Sequence, residues 1–160
     1  MNEQAQSIDD ASEHASGHGG RIHDPAQALA FLLAGNAHAT FVSQHSGMRF
    51  TYHVNQPSVR RDPNVAPPWF VSVLTAPDHY EYIGCVYAAR VFAHGRKSRI
   101  APDAGSVKAF AWVWKYLSAG RMPPECEVWH EGRCGKCGRR LTDPQSIKTG
   151  LGPICAESAS

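Results

Sequence analysis

The spacing of three cysteines in "CGKCGRRLTDPQSIKTGLGPICA", Cys134, Cys137 and Cys155, constrains the fold of this chain more than any other feature. Two thiolates separated by two residues chelate one ion only if the backbone turns sharply. Gly135 and Gly138, one after each cysteine, permit that turn and let amide N–H groups approach the sulfurs. Gly152-Pro153 reads as a loop entering a helical turn, with Cys155 in the first turn, where unpaired N–H groups favour a thiolate. A knuckle followed by a ligand at a helix start is the arrangement of a treble-clef-like zinc finger. The five cysteines are an odd number, and the N-terminal "MNEQAQSIDDASEHASGHGG" has no apolar core of a secretory signal, so a disulfide framework is the weaker reading. No run approaches the ~18–20 apolar residues of a membrane helix. A cytoplasmic protein without a membrane partner is therefore expected.

Three thiolates leave a tetrahedral ion one donor short. His130, at the end of an "EVWH" strand, is the expected fourth ligand, with Cys126 as the alternative and water, a partner chain or another side chain beyond that. The expected cofactor is Zn²⁺ in a closed, structural shell. Its apparent binding free energy, about 10–16 kcal/mol in such sites, would hold together a segment whose own apolar residues are few (Leu141, Ile147, Leu151, Ile154). A catalytic zinc would need an open position and a base such as Glu131, and the deaminase His-x-Glu with Pro-Cys-x-x-Cys is absent. After Cys137 there is no histidine and only Asp143 and Glu157 as acids. No catalytic residue is assigned, and an enzyme is not the expected reading. A redox Cys-x-x-Cys lacks a thioredoxin-like context and would leave Cys155 unexplained.

The rest of the chain reads as an ordinary globular domain, with 42% apolar and 19% charged residues among 160. Residues 1–22, rich in Ser, Gly, His and acids, are expected to be a disordered tail in which His14, His18 and His23 are incidental. An α+β domain over 23–125 and the zinc-finger module over 126–160 follow. Asp24-Pro25 is an N-cap with proline at the first helical position, and the helix runs to Gly35-Asn36 with Ala28, Leu29, Leu32 and Leu33 buried. "ATFVSQHSGMRFTYHV" reads as a hairpin, "WFVSVLT" and "YEYIGCVY" as two further strands with Cys85 a small buried hydrophobe, and "RVFAH" as a fifth. "DAGSVKAFAWVWKYLSAG" is a helix capped by Asp103, ended by Gly120, and buried along Val107, Phe110, Ala111, Trp114 and Leu117. The fold class is thus α+β: a mainly antiparallel sheet of four to five strands with two main helices, followed by a small treble-clef-like zinc finger.

Charge supplies the functional reading. Residues 1–24 carry Glu3, Asp9, Asp10, Glu13 and Asp24 against Arg21 alone, whereas residues 90–148 carry twelve bases against five acids. Arg133, Lys136, Arg139, Arg140 and Lys148 project from the cysteine module and suit the phosphates of DNA or RNA, with Ser146 and Thr149 as hydrogen-bonding neighbours. No base-reading helix is present, so binding would be non-specific. The alternative is a protein-contact module with a purely structural zinc. An enzymatic reading would need Arg60 and Arg61, in the proline-rich loop "NQPSVRRDPNVAPP", to close over a pocket. No paired acids, nucleophile with base, or phosphate cradle accompany them.

Residues 129–156 also resemble a known pattern, Cys-x2-Cys-Gly-Arg-x-Leu-Thr-x-Pro-x-Ser-Ile followed by Gly-x-Gly-Pro-x-Cys. It belongs to a domain of unknown function, of the DUF6011 type, in bacteriophage and bacterial proteins. The resemblance implies a zinc-binding tail on Cys134, Cys137 and Cys155, with His130 in the matching Trp-His-Glu-Gly-Arg lead-in. It implies no activity. Ile154 departs from the polar or acidic residue expected before the last cysteine. The upstream "GNAHATFVSQHSGMRFTYHV" and "PWFVSVLTAPD" are similar to phage proteins carrying this tail. Taken with the charge pattern, the expected protein is a small phage- or prophage-type accessory protein that binds nucleic acid or, alternatively, a host or phage protein.

Overall fold

The computed structural model describes residues 19–57, 62–88 and 91–159. Most of the expected tail, including His14 and His18, and the arginines Arg60 and Arg61 lie outside the described residues.

Alternating apolar and polar residues build a sheet of seven antiparallel strands. In chain order these are β1 (Gly20–Ile22), β2 (Asn36–Ser43), β3 (Arg49–Asn55), β4 (Trp69–Ala76), β5 (His79–Tyr87), β6 (Val91–His94) and β7 (Cys126–His130). Their spatial order is β1-β7-β2-β3-β4-β5-β6. Ala37, Ala39 and Phe41 of β2, Tyr52 and Val54 of β3, and Val71 and Val73 of β4 share the inward face. Helices α1 (Pro25–Leu32) and α2 (Gly105–Ser118) join them in one core. Phe110 of α2 is its centre, with ring centroids 5.1 Å from Tyr52, 5.8 Å from Phe41 and 4.8 Å from Phe92. The buried Tyr52 hydroxyl donates to the Ser106 carbonyl at 2.7 Å, so the polar end of the ring is satisfied.

The sheet exceeds the expected four to five strands because two segments assigned elsewhere belong to it. β1 falls within the expected 1–22 tail, and β7 within the expected 126–160 module. β7 inserts between β1 and β2, pairing Val128 with Ile22 on one side and with Phe41 on the other. Cys126, Val128 and His130 point inward and are buried. The boundary at 125/126 therefore runs through the sheet rather than beside it, and the chain leaves the sheet for the cysteine module only after His130.

The helices differ in detail from expectation. The Asp24 carboxylate caps α1 by accepting from the Gln27 N–H at 2.9 Å, but the helix ends at Leu32, and Phe31 is fully buried where Leu29 and Leu33 are only partly so. Helix α2 begins after Ala104 without a side-chain cap, so Asp103 does not cap it. Val113 is buried and Ala111 exposed. Gly120, at φ +78°, lies just beyond the C-cap Ala119, as the sequence suggested. Cys85 is buried.

Candidate metal centre

Beyond β7 the chain turns through Gly132 at φ +86° and enters a narrow two-armed loop in which Arg133 bridges Arg140. The Cys134 N–H donates to the Arg139 carbonyl at 2.8 Å, and Gly138 at φ +78° donates back to the Cys134 carbonyl at 3.0 Å. Inside this turn the Cys134 sulfur accepts from the Lys136 N–H at 3.5 Å and from the Gly152 N–H at 3.4 Å. These are the contacts that the glycines make sterically possible. Two short helices complete the module, α3 (Pro144–Thr149) and α4 (Pro153–Ala159). Asp143 caps α3, with Oδ2 accepting from the Ser146 N–H at 3.1 Å and Oδ1 from the Ser146 hydroxyl at 2.6 Å. Gly150 ends α3 in the left-handed conformation, and Pro153 starts α4, which delivers Cys155.

The result is a convergence of Cys134, Cys137 and Cys155, whose sulfurs all lie within 4.8 Å of one another. A tetrahedral ion with ~2.3 Å metal–sulfur bonds holds its sulfurs ~3.8 Å apart. The three sulfurs therefore need only a small contraction to share one ion. The Cys134 sulfur is buried, Cys155 is half-buried and Cys137 is exposed. Burial opposes ionisation of Cys134, but N–H groups from Cys137, Gly152 and Lys136 outweigh it and bring the thiol down to about 7. Cys155 is pushed up to about 11 by burial and by its two thiol neighbours. Such a cluster has a thiolate ready for a cation and loses its remaining protons on binding one. Three soft thiolates of this geometry fit zinc or a similar thiophilic ion.

Neither candidate for a fourth ligand is in the cluster. His130 is buried and both of its ring nitrogens are engaged: Nδ1 accepts from the Gly132 N–H at 2.9 Å, and Nε2–H donates to the Ile147 carbonyl. It clamps the exit of β7 to α3, a positioning role that spacing alone made look like ligation. Cys126 sits at the opposite end of β7, five residues long, and lines an apolar cavity with Phe41, Met48, Phe50 and Trp112. Burial pushes its thiol up to about 11, against metal binding. The five module cations, Arg133, Lys136, Arg139, Arg140 and Lys148, are all exposed. Among the described residues, no carboxylate forms an ion pair with Arg133, Arg139, Arg140 or Lys148.

A second polar cluster, without a local sequence signature, lies on the outer face of the sheet. Its elements are the cross-strand pairs His38↔His53 and Thr40↔Thr51, visible only once the β2–β3 register is known. The two imidazoles stack with centroids 4.2 Å apart and 9° between planes. His38 Nδ1 meets the Tyr80 hydroxyl at 3.1 Å, and His53 Nε2–H donates to Asn36 Oδ1 at 2.7 Å. Burial lowers both histidines, helped by Arg133 at His38 and by His38 itself at His53, where Glu131 opposes. Burial lowers His130 too, against its bond to Ile147. A histidine whose folded pKa is depressed takes up its proton more readily when unfolded. Its stabilising contribution is therefore present above the unfolded value of about 6.5 and is lost as pH falls toward the folded value. The metal-loaded protein should need less urea to unfold at pH 5.5 than at pH 7.5, and the NMR titration midpoints of these three rings should fall below 6.5; midpoints at or above it would contradict the burial described.

Residues 129–160 match a protein family of unknown function, DUF6011. The matched segment begins at Trp129 inside β7 and includes all three clustered cysteines. Among curated proteins and among solved structures, none matches the chain. The fold and the site thus define an α+β protein with a seven-stranded antiparallel sheet whose last strand leads into a DUF6011-like tail carrying a three-cysteine cluster.

Proposed function

We propose that the tail is a zinc-stapled module through which a small accessory protein, of the kind found in phages and prophages, binds nucleic acid non-specifically. The observation that carries this reading is the concentration of Arg133, Lys136, Arg139, Arg140 and Lys148 on one short scaffold. Of its three acids, Asp143 is already committed to capping α3. Arg133 and Arg140 are bridge partners on the two arms of the knuckle, and Arg139 flanks them. Guanidinium groups held this close engage adjacent phosphates without any base contact. The reading assigns the zinc a purely structural role.

Labelled single- and double-stranded DNA and RNA, titrated at two salt concentrations, should bind with micromolar affinity. The log–log salt slope on duplex should be about −3.6 to −4.5 for four to five phosphates. Replacing Arg133, Lys136, Arg139 and Arg140 together with alanine should abolish the interaction while leaving the circular dichroism unchanged. An absence of binding at about 50 mM salt, where the phosphate term is strong, overturns the reading.

A second reading, a protein-contact module for a host or phage factor, is favoured by one observation. Met48 and Trp112 are 55% and 41% exposed and, with Phe50 and Lys108, border a cavity of about 510 Å³ floored in part by Cys126. Aromatic and methionine side chains at a cavity mouth are typical of interface cores. Binding to a partner that survives nuclease treatment and is lost in Trp112→Ser would favour this reading over the first.

A further inference from the structure

The cysteine cluster opens onto a cavity of about 350 Å³. Its walls include Leu141, Pro153 and Ile154 on the apolar side and Arg139 and Arg140 on the charged side. The three sulfurs grade from the buried Cys134 to the exposed Cys137, so the cluster has a protein-filled back and a cavity-facing front. On the back, backbone N–H groups occupy the Cys134 sulfur. On the front, the described residues supply no uncommitted fourth donor. Asp143 lines the cavity, but its two oxygens hold the Ser146 N–H and hydroxyl and stay outside the sulfur cluster. His130 and Cys126 are turned elsewhere, as described above.

We infer that the cluster holds its metal through three protein thiolates and takes its fourth ligand from solution, as a small anionic donor that enters this cavity and pairs with Arg139 and Arg140. This rests on the metal-binding reading of the cluster and changes its character. A shell closed by the protein is inert, whereas one completed from outside is exchangeable and senses the anions or thiols around it. Three thiolates on a divalent ion leave the site with a net charge of −1. A further anion is tolerated because two guanidinium groups stand at the cavity wall, where charge-assisted hydrogen bonds are worth more than in bulk water. The cavity lies within the size range of small-ligand sites, about 300–1,000 Å³.

Cobalt(II) reports the shell directly. The full-length chain, reduced and freed of metal, is titrated with Co²⁺ and then with sodium azide or with 2-mercaptoethanol. Sulfur-to-cobalt charge-transfer absorption of three-thiolate intensity should appear first. The ligand-field bands should then shift saturably with either added ligand. The Arg139→Ala/Arg140→Ala protein should give the same initial spectrum and need about tenfold more azide, the loss expected for one charge-assisted hydrogen bond. Cys126→Ser should behave as the parent throughout. Charge-transfer bands of full intensity that neither ligand shifts would mean a shell closed by the protein, and would overturn the inference while leaving the metal site intact. An absence of charge-transfer bands would instead remove the metal-binding reading on which it rests. An azide response that is unchanged in the double arginine variant would overturn the pairing role of Arg139 and Arg140.

Discussion

Cys155→Ser should lower bound zinc from one equivalent per chain to well under half, and should release the whole tail beyond His130 from its folded state. The reason lies in what the tail can bury. Helices α3 and α4 are six and seven residues long, well short of the ~12–15 residues at which an isolated helix becomes even marginally stable. Among the described residues, neither helix buries an apolar side chain completely: Ile147 of α3 and Cys155 and Ala156 of α4 are only partly covered. The buried apolar residues of the tail, Cys134, Leu141 and Leu151, lie outside both helices. A metal-binding free energy of about 10–16 kcal/mol dominates such a segment. Zinc analysis by mass spectrometry and amide hydrogen exchange together test this. Amides of 133–159 should lose protection in Cys155→Ser and in chelator-treated parent protein, while β2–β5 keep theirs. Cys126→Ser should retain its zinc, because that thiol faces the other cavity and is held protonated by burial. Retention of zinc should weaken as pH falls, since Cys155 must give up a proton that its surroundings hold up to about 11. Full protection of 133–159 without metal would show that the tail folds on apolar packing alone.

How much of this could be read beforehand depends on whether the cause was local. The knuckle was legible because cysteine spacing and the following glycines determine it within a few residues. Helix α1 was legible from Asp24-Pro25, and the same dipeptide at Asp143-Pro144 marks the start of α3, where Asp143 caps Ser146 in the same way. The β2–β3 hairpin was legible from its β-rich residues on either side of a short turn. What escaped was set by distant partners. The sequence "CEVWH" has the period of a strand, but nothing in it says that its neighbours are β1 and β2. β1 is three residues long and sits in a Gly- and His-rich flank, so its own composition argues for a tail. His130 was misread because one of its two partners, Ile147, lies seventeen residues on. The stacked His38 and His53 are fifteen residues apart, and only the hairpin register brings them together.

Phe31 was missed for the same reason, and substituting it should have the largest effect on global stability. A helix packed only on the sheet would bury one stripe, and Ala28, Leu29, Leu32 and Leu33 satisfy that pattern. Phe31 lies beside the stripe and is nonetheless fully buried, because the cysteine module covers α1 from the other side. Its ring centroid is 5.9 Å from that of His130, and its edge lies where side chains at Gly135 and Gly150 would have to go. A Cβ on Gly135 would come within 2.7 Å of Phe31 Cδ1, and one on Gly150 within 2.6 Å. Phe31→Ala should therefore cost about 3–5 kcal/mol and lower the melting temperature by roughly 6–20 °C at this chain length. The decisive measurement is a double-mutant cycle. Gly150→Ala alone combines a clash with Phe31 and the strain of a left-handed φ of +78°. In a Phe31→Ala background the ring atoms that the new Cβ would meet are gone and only the strain remains, so Gly150→Ala should become cheaper by about 0.5–3 kcal/mol, the range for residues in contact. Strictly additive costs would mean that α1 and the cysteine module do not share this packing.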